Sequence, residues 1–159
     1  PIIYIGNCQR AKGVVESYEE LKELDIHLVS SGAKMIKIPA KNYIFGHHDY
    51  ITLLKASSVV VTMSKFDEGW CRTAHEAILC GTPVIGSGRG GMKELLENGE
   101  QIVCENFADL KKNVECLLDN PAKAKEIGAK GFAFAASFTP ERFKMEWGKV
   151  ISSTQFENS

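Results

Sequence analysis

The chain has 159 residues, 44% of them hydrophobic and 25% charged, a composition that suits one globular domain with a single core. The formal net charge of -1 gives no reason to expect a nucleic-acid partner. The five cysteines include no CxxC pair, which argues against a disulfide framework or a structural zinc site and favours a reducing, cytoplasmic setting. No apolar run approaches the length of a membrane span, and no signal peptide is recognisable.

Short β-rich runs alternate with longer helical patterns along the chain. The patterns predict strands at residues 2–5, 26–29, 43–45, 59–62, 83–86 and 101–104. They predict helices at residues 14–24, 49–57, 71–80 and 92–97. From residue 108 to about 151 the chain is predicted to be wholly helical, with breaks at Pro121 and Pro140.

This alternation predicts a Rossmann-like three-layer α/β domain with about six parallel strands, helices on both faces and a helical C-terminal segment. The predicted domain covers residues 1–151, and residues 152–159 are expected to form a polar tail that frays. In such a sheet the ligand crevice lies outside the carboxyl ends of the strands. The loops that follow residues 5, 45, 62 and 85 are therefore the places to search for a site.

The first of these loops, residues 6–13, has features that suit an anion. Gly6 permits a tight turn, and Lys12 lies where the first helix is expected to begin, close to free amides at the helix start. A diphosphate fits that arrangement, although the loop has neither a Walker spacing nor a GxGxxG spacing. On this loop alone, a surface turn with a stray lysine is the better interpretation.

The loop after the fourth predicted strand, residues 64–76, is more specific. Gly69 lets backbone approach a ligand, and the amides of residues 70–73 fall at a helix start, where they lack intrahelical acceptors. Glu68 precedes these amides and Glu76 lies more than one turn into the helix. Two carboxylates that flank a phosphate site fit a ribose, a diphosphate and a donor sugar. Alternatively, Glu68 is a helix N-terminal acid and Glu76 a solvated residue.

The loop after the fifth predicted strand, residues 86–91, contains four glycines. They are consistent with a second backbone surface that faces the crevice, and equally with a flexible linkage. Glycine content alone does not decide between the two.

Together these motifs resemble the C-terminal domain of retaining glycosyltransferases of family 4, which have the GT-B fold. The resemblance covers residues 2 to about 151, and its most specific part is the pair Glu68 and Glu76, separated by seven residues. It implies the donor-binding domain of a hexosyltransferase that moves a sugar from a nucleoside diphosphate, UDP or GDP, to an acceptor with retention of configuration. Such enzymes serve polysaccharide or glycoconjugate biosynthesis.

The resemblance also implies a role for each site residue. Glu68, for the donor sugar, and Lys12, for the phosphates, are the catalytic candidates, and Glu76 is expected to bind the ribose. Asn7 stands where the family commonly has an arginine, and Arg10 is the candidate replacement for that cation. The remaining donor-binding candidates are Gly6 in the first loop, His47 and His48 near the base, and Gly69, Trp70, Cys71 and Arg72 around the diphosphate.

The resemblance further implies a missing N-terminal domain that binds the acceptor, whether a sugar, a lipid or a glycan. Without that domain the chain is expected to be inactive, and peripheral membrane attachment through it is an option. The last helix resembles the segment that crosses back to the first domain, so Trp147 is expected to be exposed. No cofactor or metal is expected, because the helix N-terminus takes the place of a cation.

Two other functions compete with this interpretation. Cys71 at a helix start, with its pKa lowered there, and His75 four residues later have the spacing of a nucleophile and its base in a thiol enzyme. A non-catalytic nucleotide-binding module or a sugar-nucleotide epimerase of the same fold is the other alternative.

Overall fold

A computed structural model describes residues 1–154 of the chain. Within this part, six strands form one parallel sheet in the order β3-β2-β1-β4-β5-β6. The strands are β1 (Ile2–Asn7), β2 (His27–Ser31), β3 (Lys41–Tyr43), β4 (Val59–Thr62), β5 (Val84–Gly86) and β6 (Ile102–Val103). The helices of the same part are α1 (Val14–Leu21), α2 (His47–Ala56), α3 (Arg72–Leu79), α4 (Gly91–Asn98), α5 (Leu110–Leu118), α6 (Pro121–Ala135) and α7 (Pro140–Thr154).

Successive side chains of the central strands bury into two cores on opposite faces of the sheet. One core combines Ile3 and Val59 with side chains of α1 and α5. The other combines Tyr4 and Val60 with side chains of α3 and α4. Helices therefore cover both faces, and the predicted three-layer α/β fold with a parallel sheet is confirmed.

The strand order reverses between β1 and β4, because β2 and β3 extend the sheet on one side and β5 and β6 on the other. The loops after β1 and β4 therefore leave the same edge side by side, where ligands bind in such folds. Gly13 makes their close approach possible. With φ of +68°, it would place a Cβ 2.1 Å from the carbonyl oxygen of Met63.

Some element boundaries differ from the sequence-based prediction. β3 ends at Tyr43, where the prediction had a strand over residues 43–45. α2 begins at His47, because Gly46 is extended and acts as the cap, so His47 and His48 lie in a helical turn rather than in a loop. Lys12 lies in a 3₁₀ turn over Arg10–Lys12 that precedes α1. His47, His48 and Lys12 therefore belong to helical turns at the edge of the crevice and not to extended loops.

The C-terminal helix α7 lies on the outside of the molecule. All of its residues from 140 to 153 are exposed. Trp147 is 52% exposed, which confirms that prediction, and its ring centre lies 6.0 Å from that of Phe143. Residues 152–154 are helical rather than tail, and residues 155–159 lie outside the described part. Among the helices of residues 1–154, none is long and apolar enough to cross a membrane.

Candidate functional site

A cleft of about 640 Å³ opens at the carboxyl edge of the sheet, between the loops after β1 and β4 and the first turns of α2 and α3. This volume is typical of sites for small molecules and cofactors. Most of the sequence-predicted site residues meet here. The lining includes Asn7, Lys12, His47, Glu68, Cys71, Arg72 and Glu76.

The remaining predicted residues are placed around the cleft in different ways. Gly6 lines a small recess that adjoins the cleft and shares Asn7, Lys12 and Glu68 with it. Arg10, His48, Gly69 and Trp70 are outside the lining of both. The structure therefore brings the two glutamates and Lys12 together, but not Arg10.

Glu68 and Lys12 form an ion pair across the two loops. The Lys12 ammonium lies 2.5 Å from Glu68 Oε1, and the Ser64 hydroxyl donates to the same oxygen at 2.5 Å. Lys12 also lies 4.7 Å above the centre of the Phe66 ring, a cation–π contact. Only 11% of the Glu68 side chain is exposed. The carboxylate is therefore held in one orientation before any ligand binds.

The glycine-rich loop after β5 supports the turn that carries Glu68. The Gly91 amide donates to the Glu68 carbonyl at 2.7 Å, and the Glu68 amide donates to Arg89. A Cβ at Gly91 would lie 1.7 Å from the Gly69 carbonyl oxygen, and a Cβ at Gly90 would lie 2.4 Å from that of Glu68. This loop is thus neither a flexible linkage nor a surface of the cleft. Its two adjacent glycines before a helix were the only signal for this role in the sequence.

The start of α3 faces the cleft. Cys71 precedes the helix with φ of 48° and ψ of 76°, and its carbonyl accepts the first intrahelical bond, from the His75 amide at 3.2 Å. The amides of the first helical turn have no intrahelical partner. Two residues of that turn, Arg72 and Thr73, line the cleft. The positive end of the helix dipole is therefore directed at the space between Glu68 and Glu76.

Tyr50 of α2 meets α3 at the Glu76 end of the cleft. Burial, followed by the nearby Tyr4, raises the pKa of Tyr50, and the side chains of Thr73 and Glu76 lie beside its phenol and act on that pKa in opposite directions. Tyr50 was missed by the sequence analysis. The signal was its position three residues after His47, on the same face of a helix.

Asn7 lies in a neutral polar network on the floor of the cleft. Its Oδ1 accepts hydrogen bonds from the Tyr4 phenol and the Ser31 hydroxyl, each at 3.2 Å. Tyr4 and Ser31 are also 2.8 Å apart, and burial raises the pKa of Tyr4 to about 12. These hydrogen bonds hold the Asn7 side chain in place, but the network contributes no charge to the cleft.

The predicted activation of the Cys71 thiol is wrong. Burial raises the pKa of Cys71 to about 11, although the Ala74 amide acts in the opposite direction. His75 is engaged elsewhere, because its Nδ1 accepts a hydrogen bond from Trp70 Nε1 at 2.7 Å. A buried neutral thiol and an occupied imidazole do not form a nucleophile and its base.

Charged and polar groups that suit an anion with attached sugars surround the cleft. Lys12, Arg72 and the first amides of α3 are the positive elements, and Glu68 and Glu76 are the negative ones. Within residues 1–154, no group of three or more His, Cys, Asp or Glu side chains is arranged to hold a metal ion.

Comparison with curated proteins gives relatives that are similar in sequence. An uncharacterized glycosyltransferase of Methanocaldococcus jannaschii is 24% identical over 164 residues, which cover 93% of this chain and 46% of that protein. The chain spans less than half the length of the first curated relatives it matches.

Two solved structures are similar over nearly the whole chain. Anabaena Alr3699/HepE in complex with UDP-glucose has a TM-score of 0.82 at 19% identity, over 96% of this chain and 48% of its own. Sucrose-phosphate synthase from Thermosynechococcus elongatus has a TM-score of 0.80 at 21% identity, over 99% of this chain and 46% of its own. At these identities the likeness shows the fold, which is that of one half of a GT-B glycosyltransferase.

The family assignment rests on the sequence model described as Glycosyl transferases group 1, which matches residues 2–134. This match takes in β1, the cleft and both glutamates, and extends to α6. Since it covers well over half of the chain, the protein belongs to the group 1 family of glycosyl transferases.

Proposed function

We propose that this chain is the donor-binding domain of a retaining hexosyltransferase and holds a nucleoside-diphosphate sugar in the cleft. The observation that carries the proposal is one wall of the cleft, on which Glu68, the start of α3 and Glu76 follow one another. That order matches sugar, diphosphate and ribose in a single extended ligand. The UDP-glucose held by Anabaena Alr3699/HepE supports a UDP-sugar as the first donor to test.

The diphosphate lies, in this proposal, at the N-terminus of α3. The amides of the first turn, the ammonium of Lys12 and the guanidinium of Arg72 bind its oxygens. Arg72 is exposed and lines the cleft, whereas Arg10 lies outside it. We therefore assign to Arg72 the second cation, for which Arg10 was the candidate in the sequence.

The donor sugar and the ribose contact the two glutamates. Lys12 and Ser64 both bind Oε1 of Glu68, so its Oε2 is the oxygen offered to a sugar hydroxyl. Glu76, which lines the cleft beside Tyr50, accepts from the ribose. The base lies toward Ile44, Phe45 and His47 at the opposite wall.

The protein's contribution to transfer is electrostatic. Lys12, Arg72 and the α3 dipole stabilise the charge that develops on the leaving diphosphate, and Glu68 orients the sugar through its hydroxyls. No metal ion has a part in this scheme. The acceptor and the retained configuration belong to a complete enzyme in which a second domain closes over the cleft, and a cytoplasmic location accompanies this proposal.

Calorimetric titration with UDP, UDP-glucose, GDP and GDP-mannose tests the proposal without the second domain. We expect saturable binding of at least one of them, and a loss of at least about tenfold in affinity for Glu76→Gln, because a charged hydrogen bond to the ribose is removed. Glu141→Gln, an exposed carboxylate on α7, serves as the matched control. Absence of binding to all four ligands, or equal losses in both variants, would contradict the proposal.

A further inference from the structure

Trp70 belongs to the turn that leads from Glu68 to α3, but its side chain points away from the cleft. Its indole Nε1 donates to His75 Nδ1 at 2.7 Å, and the two ring centres lie 5.9 Å apart. The Phe138 ring closes the group, with its centre 5.1 Å from Trp70 and 5.4 Å from His75. We call Trp70, His75 and Phe138 the aromatic anchor.

The aromatic anchor is joined to the first turn of α7. Phe138 lies in the turn between α6 and α7 and packs on Phe134 with ring centres 5.1 Å apart. The guanidinium carbon of Arg142, on α7, lies 4.7 Å above the Phe138 ring. The same guanidinium donates to the Ser137 hydroxyl at 2.7 Å. A change in the direction of α7 would therefore be transmitted to Phe138.

His75 connects the anchor to α6 as well. Its Nδ1 accepts from Trp70, and the backbone of Ala135 at the end of α6 lies beside the ring and acts to raise its pKa. A neutral imidazole that accepts at Nδ1 carries its hydrogen on Nε2. Only a neutral imidazole keeps the bond from Trp70, because a protonated imidazole has no acceptor to offer.

We infer that the aromatic anchor positions the 69–72 segment for the donor and couples it to the placement of α7. Trp70 is two residues from Glu68 and two from Arg72, so a displaced indole moves the backbone that joins them. All three members are positioning residues, since they contact the loop and not the cleft. The inference rests on the proposed function and extends it to a helix outside the cleft.

Amide hydrogen exchange across residues 69–73 tests the anchor without any ligand. We expect exchange to accelerate about tenfold in Phe138→Ala, because two aromatic contacts and their support of the Trp70 bond are lost. Phe143→Ala, an exposed aromatic of α7, is the control and should leave exchange unchanged. Wild-type exchange in Phe138→Ala would overturn the inference.

A surface substitution tests the coupling to α7 without risk to folding. Arg142→Met should accelerate exchange at residues 69–73 and weaken UDP-glucose binding about threefold, because an exposed cation–π contact with Phe138 and the hydrogen bond to Ser137 are lost. Lys144→Met, a second exposed cation of α7, is the matched control. Equal behaviour of the two variants would overturn the coupling.

The pH profile of UDP-glucose affinity distinguishes a role of the aromatic anchor in positioning the 69–72 segment from a role in the stability of the whole fold. UDP-glucose has no phosphate group that titrates near neutrality, so wild-type affinity should fall in acid as His75 becomes protonated. The charged group that acts on His75 is Glu76 on its own helix, and Arg142 of α7 lies over the Phe138 ring that contacts His75. In Trp70→Phe the fall should become smaller, because protonation of His75 no longer breaks a bond to Trp70, and an unchanged profile would overturn the inference. If the wild-type chain binds no donor, the proposed function is wrong. Hydrogen exchange then still tests whether the aromatic anchor positions the 69–72 segment.

Discussion

The two walls of the cleft are held in place to very different degrees. The wall from Glu68 to Glu76 is fixed by the Lys12 ion pair, by Gly91 and by the aromatic anchor. The opposite wall follows β3, where Ile44 is 81% exposed. A rigid wall suits the diphosphate and the ribose, which every donor of this class shares. The more exposed wall lies where the base would bind, and the following predictions test this contrast.

The largest effect is expected at the ion pair of the fixed wall. Glu68→Gln and Lys12→Met should each reduce sugar transfer in an enzyme that contains the second domain by about 10² to 10³-fold, because a preorganised charge is removed from the reacting end. Single-turnover rates with saturating donor would measure the loss. The control is Lys22→Met, which removes an exposed cation from a surface ion pair. Near-normal turnover in both site variants would contradict the assigned roles.

The next largest effect, on donor binding, is expected at Gly91. In Gly91→Ala the new methyl group meets the Gly69 carbonyl oxygen, so the Glu68 turn must move. Overpacking of this kind costs about 1–3 kcal/mol of unfolding free energy, which urea denaturation would measure, and titration should show donor affinity reduced by at least tenfold. Gly148→Ala, inside α7 and with no atom within 4 Å of the new Cβ, should leave donor affinity unchanged and raise the free energy of unfolding by about 0.5–1 kcal/mol.

The fixed wall could be predicted from sequence where its parts are local. Glu68 and Glu76 lie on one turn and helix, so their spacing alone places them on either side of a helix start. The supports of this wall come from distant segments, such as Gly91 and Phe138, and local patterns carry no information about such contacts. The fold was predictable because strand and helix periods are local as well.

The Cys71–His75 prediction shows the limit of spacing as an argument. Residues four apart share a helix face, but the direction of a side chain depends on the contacts available to it. The Trp70 indole donates a hydrogen bond to His75, and burial keeps Cys71 neutral. Neither partner could be identified from the order of residues on one helix.

A smaller effect is expected on stability in acid. Burial lowers the pKa of His75, so the folded chain binds a proton less readily than the unfolded one. Its contribution to stability is therefore complete above the ordinary histidine pKa of about 6.5 and decreases as the pH falls from there toward the folded-state pKa. Urea denaturation across this window should show the decrease in the wild type and a weaker one in His75→Phe. His27→Phe, at an exposed position, should keep the wild-type slope.

The smallest effect is expected on the exposed wall. Ile44→Ala should leave the free energy of unfolding unchanged within about 0.5 kcal/mol, because the side chain is exposed. Its effect on UDP-glucose affinity should stay within about threefold. The ratio of UDP-glucose to GDP-mannose affinity should change more than either stability or the binding of inorganic diphosphate, because Ile44 lies at the base end. If Ile44→Ala instead weakened diphosphate and both donors equally, the exposed wall would contribute to the shared part of the ligand, and the contrast between the walls would be lost.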